Sequence, residues 1–231
     1  MKMVQQNLFN VTDTKLNKIA KLSSENPKME FKWLMSHFNK ESLISCFHKL
    51  NGKKAVGIDG ITKEEYGKNL NRNIEDLLSK MKSMSYMPKG VREILIPKEG
   101  SKGEKRTLAI SSFEDKIIQL QCARILESIY EPLFENSSFG FRPRRGCHTA
   151  IKELYKYLSR NTSEIIIDVD LKNYFGLIQH NHLIAFLRHK IKDERFIRYI
   201  SRILKSGIFK DGRFEVNEEG SPQGNIVSPI L

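Results

Sequence analysis

The sequence predicts an α+β fold in which helices outnumber short strands, and three observations support this. Four apolar residues within residues 1–50 recur at roughly helical spacing, with polar residues between them. They are Phe31, Leu34, Phe38 and Leu43. Residues 91–96 mix apolar and charged side chains in a short run that is typical of a strand. Three consecutive isoleucines within residues 164–171 predict a buried central strand that ends in carboxylates.

The segment between the first helices and the first strand alternates turns and a helix. Residues 51–62 are rich in glycine, asparagine and aspartate, which favour turns. A helix is expected over residues 66–81, and the strand that follows it ends at Pro97, where a loop rich in glycine and lysine begins. Residues 108–110 are expected to form a second short strand.

A long helix is predicted next. Ser112 is placed to cap it, with Asp115 three residues on, and Pro132 limits its length. Its apolar stripe consists of Ile118, Cys122, Ile125 and Ile129. Residues 138–148 form a loop, and Ile151 and Leu154, together with Leu158, then mark a further helix.

Two helices and a hairpin complete the predicted elements. The helices are expected near residues 181–191 and 194–206, and an Asp-Gly pair between apolar runs predicts a hairpin over residues 207–216. The last residues are apolar and carry no helix cap or polar tail. We therefore expect the C-terminus to be a cut through a larger fold.

The charge balance makes a polyanion the first partner to consider. The 231 residues include 39 Lys and Arg against 27 Asp and Glu, a net charge of +12. Excess lysine can also serve solubility alone. No apolar run reaches the ~18 residues of a membrane span, and the N-terminus does not resemble a secretory signal, so no membrane partner is expected. Three widely spaced cysteines exclude a disulfide framework and favour a cytoplasmic location.

Two carboxylates stand at the end of the isoleucine run. Asp168 and Asp170 would share one face of a strand because side chains alternate with period two. Carboxylate oxygens suit Mg²⁺, and phosphoryl transfer with two metal ions uses such ligands. A solvated strand end with two acidic residues is the alternative interpretation.

Five segments, in a fixed order and spacing, carry a resemblance to a known family. They are residues 57–62 (GIDGIT), 105–110 (KRTLAI), 138–148 (SFGFRPRRGCH), 170–175 (DLKNYF) and 221–229 (SPQGNIVSP). The set resembles the reverse transcriptases encoded by group II introns. The resemblance implies a right-hand polymerase fold, with helical fingers and a short β-hairpin ahead of a truncated palm sheet. It places an N-terminal extension and the fingers in residues 1–150 and a partial palm in residues 151–231.

The resemblance also assigns roles at the end of the isoleucine run. It implies that Asp170 is catalytic and binds Mg²⁺, with the carbonyl of Leu171 beside the metal. It implies that Phe175 packs under the deoxyribose and rejects a 2′-hydroxyl, although a core aromatic is the alternative. Asp168 is expected to be structural only. Gly176 stands where the family usually has an acidic residue, so the resemblance does not determine the conformation of the local turn.

Basic residues around the predicted hairpin are expected to bind nucleotide. Residues 89–106 hold six basic and three acidic side chains, which suits a hairpin that closes over a triphosphate. By resemblance the triphosphate contacts are Arg92, Lys98 and Arg106, with a solvated loop as the alternative. Gln223 and Gly224, in the Ser-Pro-Gln-Gly turn, are expected beneath the incoming nucleotide.

Further basic residues are expected to contact nucleic acid. Three arginines alternate with glycine and proline in residues 138–148, a loop that the resemblance places near the template. They are Arg142, Arg144 and Arg145. Phe139 and Phe141 either stack on bases or anchor the loop, and His148 is expected to be structural. Residues 188–213 hold nine basic and three acidic side chains, which suit either an RNA backbone or a solvated helix face.

The predicted activity is that of an RNA-directed DNA polymerase. It would add deoxynucleoside triphosphates to a DNA primer on an RNA template. No aromatic-x-Asp-Asp motif occurs in the sequence, so we expect this polypeptide to be inactive alone. Two alternatives stay open: a non-enzymatic, maturase-like protein in a ribonucleoprotein with intron RNA, and a retron-type or defence-type reverse transcriptase. The helical start before Gly57 favours the intron type.

Overall fold

The structure, a computed structural model, describes residues 14–97, 100, 103, 105–160, 165–210 and 213–231. Within these residues the α-helices are α1 (Thr14–Glu25), α2 (Lys40–Lys49), α3 (Lys63–Lys68), α4 (Leu70–Lys82), α5 (Phe113–Tyr130), α6 (Cys147–Leu158), α7 (His180–Lys190) and α8 (Glu194–Leu204). The strands are β1 (Val91–Pro97), β2 (Lys105–Ile110), β3 (Ile208–Lys210) and β4 (Arg213–Glu215). No helix in the described part of the chain is both long and apolar enough to span a bilayer.

The helical start predicted for residues 1–50 is confirmed only in part. The four apolar residues that predicted it, Phe31, Leu34, Phe38 and Leu43, are all buried, but they do not share one helix. Phe31 pairs with Ile191 in an isolated bridge, and Leu34 begins a single 3₁₀ turn. Trp33, with φ of 61°, lies outside helical geometry and prevents a continuous helix. Asn39 caps the start of α2 by accepting a hydrogen bond from the backbone N–H of Ser42.

The helix predicted over residues 66–81 forms as two helices, α3 and α4, which are separated at Asn69. A capping box starts α3 earlier than expected: the Thr62 hydroxyl accepts from the Glu65 N–H, and the Glu65 carboxylate accepts from the Thr62 N–H. The helices predicted near residues 181–191 and 194–206 are confirmed as α7 and α8.

The four strands form one sheet in the order β2-β1-β3-β4. β1 and β2 are antiparallel, with Arg92 opposite Ile110, so the predicted strand–loop–strand is confirmed and β2 begins earlier than expected. β3 and β4 form the second predicted hairpin, whose Asp-Gly turn at residues 211–212 lies outside the described residues. β1 also pairs in parallel with β3, which joins the two hairpins.

Helix α5 contains the largest continuous part of the described core. The predicted stripe is confirmed, because all four of its residues are fully buried. Ile117 and Leu126, on other faces of the helix, are fully buried as well. α5 is therefore a core helix enclosed on several faces rather than an amphipathic surface helix.

The buried strand predicted at residues 164–171 is wrong for the residues that the structure describes. Residues 165–170 have no regular secondary structure, and Ile165 is 88% exposed. A strand needs a neighbour to satisfy its backbone N–H and C=O groups, and no described strand pairs with this segment. The apolar residues of α6 also face solvent, with Ile151 65% exposed, and α6 buries none of its residues.

The chain forms two compact units that interleave along the sequence. One contains the described residues up to Met29, those of Leu126–Lys172, and Ile230. The other contains the described residues of Glu30–Ile125 and Asn173–Pro229, together with Leu231. The sheet, α2–α4, α7 and α8 all lie in the second unit. The division into fingers and palm at residues 150 and 151 stays a prediction.

A buried carboxylate fixes the approach to β1. Asp115, in the first turn of α5, accepts hydrogen bonds from the Tyr86 hydroxyl, the Lys89 N–H at 3.0 Å and the Ser112 hydroxyl at 2.6 Å. The predicted pairing of Ser112 with Asp115 is therefore confirmed. Burial raises the pKa of Asp115 to about 6, although the three donors act in the opposite direction.

Stability should depend on the ionisation of Asp115. The pKa of Asp115 is higher in the folded chain than in the unfolded chain, so folding takes up a proton at pH values between the two. The stabilisation that comes from this proton uptake is complete at low pH and is lost as the pH rises through about 6. Relative to Asp115→Asn, the wild-type free energy of unfolding should fall by up to about 3 kcal/mol between pH 4 and pH 7. Urea unfolding at both pH values measures this difference.

The exposed Glu64 provides the control. Glu64→Gln makes the same chemical change in solvent and should leave the wild-type pH dependence unaltered. Equal pH dependence in Asp115→Asn and wild type would show that Asp115 does not titrate in this range.

Candidate functional site

The Ser-Pro-Gln-Gly turn at residues 221–224 lies against strand β2. The backbone N–H of Ala109 donates to the carbonyl of Gln223 at 2.7 Å, which extends the hydrogen bonding of the strand to the turn. Gly224 has φ of 112°, and a Cβ at that position would lie 2.6 Å from the Ala109 carbonyl oxygen. Glycine is therefore required for this close approach. The Gln223 side chain is exposed, so its amide donors and acceptor face solvent.

The other side of the same turn lies against the backbone of Phe175. The Ser221 N–H donates to the Phe175 carbonyl at 2.8 Å, and the Gly220 N–H donates to the Ile178 carbonyl at the same distance. Phe175 itself is half-buried. The structure therefore brings together three residues that the sequence analysis assigned to nucleotide binding: Phe175, Gln223 and Gly224.

The backbone at Gly176 is explained by Asn173, three residues earlier. Asn173 has φ of 52°, and its side-chain amide fills the space where a Gly176 Cβ would lie, at 2.5 Å from its Oδ1 atom. A larger residue at position 176 would have to displace that amide. The departure from the family pattern at Gly176 is thus matched by the local turn of this chain.

His180 is a residue of this region that the sequence analysis missed. It begins α7, is 4% exposed, and its Nε2 lies 2.6 Å from the Gly220 carbonyl oxygen. Asn217 donates to the same carbonyl at 3.3 Å and to the Leu204 carbonyl at 2.7 Å. Both side chains fix the backbone that enters the Ser-Pro-Gln-Gly turn. A histidine at a helix start carries no pattern that would have revealed this role.

The two described arginines of the predicted triphosphate site lie on one face of the β1–β2 hairpin. Arg92 is opposite Ile110 and Arg106 is opposite Ile96, so the two arginines are separated by four strand positions, about 13 Å. Arg106 is exposed, whereas Arg92 is partly buried and donates from Nη2 to the Val56 carbonyl at 2.9 Å. Lys98 lies outside the described residues.

The Gly-Ile-Asp-Gly loop packs against the start of α5. A Cβ on Gly57 would lie 2.5 Å from the Ser112 backbone nitrogen, so the two backbones are in direct contact. Asp59 pairs with Lys89 at 3.0 Å, ahead of β1. The predicted turns are confirmed, and this loop lies beside the hairpin that carries Arg92.

Arg142 is a structural anchor, which corrects its predicted role in nucleic-acid binding. It is buried, and its Nε and Nη2 groups donate to the Glu131 carboxylate at 3.1 Å. Its Nη1 donates to the carbonyls of Glu135 at 2.6 Å and Ser138 at 2.9 Å. These bonds, with a longer one to the Glu131 carbonyl, engage all its donors, so none is left for phosphate.

The other two arginines of that loop are more accessible. Arg144 is exposed with φ of 61° and has no hydrogen-bond partner in the part of the chain that the structure describes. Arg145 donates to Asn136 and lies 5.5 Å from the centre of the Phe139 ring. Phe139 therefore contacts its own loop, while Phe141 is exposed.

Asp170 and Leu171 lie in the irregular segment that follows the isoleucines, and both are exposed. The Asp170 carboxylate and the Leu171 carbonyl are oxygen donors of the kind that Mg²⁺ prefers. Among the described residues, no three side chains of His, Cys, Asp or Glu come together to hold a metal ion. These two residues thus fit part of a magnesium site but do not complete one.

A sequence model of the family described as "Reverse transcriptase (RNA-dependent DNA polymerase)" matches residues 96–231, more than half of the chain. The chain belongs to the reverse transcriptase family. It is 34% identical over 217 residues to the group II intron-encoded protein LtrA of Lactococcus lactis. It is 35% identical over 220 residues to a 91 kDa protein in the cob intron of Schizosaccharomyces pombe. The resemblance to group II intron reverse transcriptases is therefore confirmed.

Both matches include 94% of the chain, but the chain spans only 36% of LtrA and 27% of the S. pombe protein. The fold matches a solved structure, the partial Cas6-RT-Cas1–Cas2 complex, with a TM-score of 0.55 and 16% identity. That match covers 87% of this chain and 33% of the other. The predicted α+β fold of a reverse transcriptase is thus confirmed.

Gly224→Ala should disrupt the docking of the turn on β2. The new Cβ would meet the Ala109 carbonyl oxygen, and the backbone conformation disfavours any side chain, so we expect the free energy of unfolding to fall by about 2 kcal/mol or more. Gly60→Ala is the matched control, because Gly60 has φ of 68° and nothing within 4 Å of its Cβ position. It should cost only about 1 kcal/mol from backbone strain. Equal losses in urea unfolding would contradict the close approach.

Proposed function

We propose that this chain forms the nucleotide-binding part of an RNA-directed DNA polymerase that extends a DNA primer on an RNA template. The observation that carries the proposal is the contact between the Phe175 backbone and the Ser-Pro-Gln-Gly turn, which is itself docked on β2. These contacts gather an aromatic ring, an exposed amide and a glycine turn in one region. Such a combination suits a nucleoside, which offers a sugar ring to pack on and base edges to hydrogen-bond.

The residues of this region have complementary proposed roles. Phe175, half-buried and fixed through its carbonyl, would pack against the sugar and exclude a 2′-hydroxyl. Gln223 would bond to the nucleotide through its exposed amide, and Gly224 would let the backbone approach. Arg92 and Arg106 would neutralise the triphosphate from the face of the hairpin that they share, together with Lys98.

The chemistry of transfer would depend on Asp170. Its carboxylate and the carbonyl of Leu171 would hold Mg²⁺, which supplies charge stabilisation to the reacting phosphates when it is bound. Asp168 would not be a ligand. The acidic residues that complete a site for two ions would come from outside the described residues, because these residues contain no further acidic cluster.

Template RNA would bind through the exposed basic residues. Arg144 and Arg145 lie on the loop that Arg142 anchors, and the net charge of +12 favours association with phosphate. The intron-encoded relatives suggest intron RNA as a further partner, in a ribonucleoprotein. We propose a cytoplasmic location on the cysteine usage of the chain.

A second candidate function is maturase-like binding of intron RNA without catalysis. It is favoured by the exposure of Asp170 and by the absence of an acidic cluster among the described residues. Under this hypothesis the basic surface would matter and Asp170 would not, which makes Asp170 the discriminating residue.

Extension of a primer should depend on Asp170 and not on Asp168. We would join this chain to the part of LtrA that lies beyond the matched region and measure deoxynucleotide addition to a DNA primer on RNA. Asp170→Ala should lower the rate by about a thousandfold or more, because it removes a charge that holds the metal.

Asp168→Ala removes the same charge two residues away and should keep the rate within a few-fold of the parent. A parent without extension that nevertheless binds intron RNA would favour the maturase-like function. Full activity in Asp170→Ala would remove Asp170 from the site.

Selection against ribonucleotides should depend on Phe175. In the same joined protein, Phe175→Val should relax the preference for deoxynucleotides by about tenfold or more, a change of about 1.4 kcal/mol, because steric exclusion at the 2′ carbon is lost. Competition between the two nucleotide types in primer extension measures the ratio. Tyr174→Val alters the neighbouring ring, 5.5 Å away, and should leave the ratio unchanged. The reverse pattern would place the selecting aromatic at Tyr174.

A further inference from the structure

A buried side chain of helix α5 bonds to the residues that follow the Ser-Pro-Gln-Gly turn. Gln119 is 2% exposed, and its Oε1 accepts a hydrogen bond from the backbone N–H of Ile226 at 3.1 Å. Its Nε2 donates to the Ser111 hydroxyl at 2.9 Å. One amide therefore connects α5 with both the end of β2 and the residues that follow Gly224.

Ser111 extends this connection to Asn225, the residue that directly follows the turn. Its hydroxyl donates to the Asn225 side-chain oxygen at 2.8 Å, and both residues are buried. Since the Ser111 hydroxyl accepts from Gln119, its own proton is directed to Asn225, and the bonds form one continuous chain. The Nδ2 group of Asn225 has no hydrogen-bond partner among the described residues, so the chain of bonds ends at Asn225. Each bond in the chain is costly to break, because a buried group that loses its partner stays unpaired.

The backbone of the turn and of the residues after it is thus held at two points three residues apart. The Gln223 carbonyl bonds to the edge of β2, and the Ile226 N–H bonds to Gln119. Gly224 lies between these points in a conformation that disfavours other residues. The backbone from Gln223 to Ile226 is therefore held by β2 at one end and by the side chain of Gln119 at the other.

We propose that Gln119 is a positioning residue for the nucleotide site, acting through the turn rather than by contact with the nucleotide. This inference rests on the proposed function of Gln223 and Gly224. Its role requires an amide, because one side chain must donate to Ser111 and accept from Ile226 at once. Methionine has nearly the same length, but it has no N–H to donate and its sulfur is only a weak acceptor.

Gln121 offers a matched control on the same helix. It is 1% exposed, and its Nε2 donates to the His37 carbonyl at 2.9 Å, in the 3₁₀ turn that begins at Leu34. Its Oε1 accepts from Arg124 at 3.2 Å and from Cys46 at 3.3 Å. Gln119→Met and Gln121→Met therefore remove the same kind of buried amide from α5. Only the first removes a contact to the residues that follow the Ser-Pro-Gln-Gly turn.

The experiment measures two properties of the purified chain for each variant. Amide hydrogen exchange of peptides covering residues 221–229 reports the turn, and fluorescence anisotropy with a labelled deoxynucleoside triphosphate and Mg²⁺ reports binding. Gln119→Met should raise the amide exchange rate in the turn about tenfold and the Kd of the labelled nucleotide about tenfold. Each factor is the effect expected from the loss of one buried hydrogen bond. Gln121→Met should leave both within about twofold of wild type while exchange near His37 increases.

A second variant covers the case in which Gln119→Met does not fold. Ser111→Ala removes the acceptor of Gln119 and the donor to Asn225 but leaves the Ile226 bond, so it should loosen the turn less than Gln119→Met. Equal exchange of residues 221–229 in wild type and in whichever variant folds would overturn the proposal. A wild-type chain that binds no nucleotide would contradict the proposed function. It would also overturn the role of Gln119 in binding, even if Gln119→Met selectively loosens the turn.

Discussion

The burial of helix α5 is the constraint on which the rest of the structure depends. Its apolar residues are enclosed on several faces, so its polar residues are enclosed with them. Each buried polar group left unpaired would cost about 1–3 kcal/mol, and the helix backbone already uses its own groups. The side chains must therefore find partners in neighbouring segments. Asp115 accepts a hydrogen bond from the Lys89 N–H ahead of β1. Gln119 accepts one from the Ile226 N–H after the Ser-Pro-Gln-Gly turn, and Gln121 donates one to the His37 carbonyl.

The region that we propose to bind nucleotide is positioned by that arrangement. β2 ends directly before α5, so fixing the helix also fixes the strand edge on which the Gln223 carbonyl lies. The turn then bonds to the Phe175 backbone, and His180 and Asn217 hold the residue that precedes it. In this member of the reverse transcriptase family, the side chains proposed to touch the nucleotide are on turns and a short hairpin, and buried hydrogen bonds hold the backbone of those turns.

The parts of the fold that depend on local pattern were predictable from the sequence. The α5 stripe and both hairpins need only periodicity and turn residues. The isoleucine strand failed because its burial depends on neighbours far along the chain, and Arg142 failed because charge does not reveal a partner such as Glu131. Gln119 was missed because its partner, Ile226, is 107 residues away. The motifs led to the prediction that Phe175 and Gln223 bind nucleotide, but they did not reveal the hydrogen bonds that hold the backbone there.

Native-state hydrogen exchange at increasing denaturant tests the central role of α5 most directly. If the loops depend on this helix, the amides of its buried turns should exchange only through global unfolding, with a free energy equal to that of the whole cooperative unit. The residues around His37 and Ile226 should open at lower free energy while α5 stays protected. Exchange of the α5 amides through a local opening, while β1 and β2 remain protected, would contradict the account.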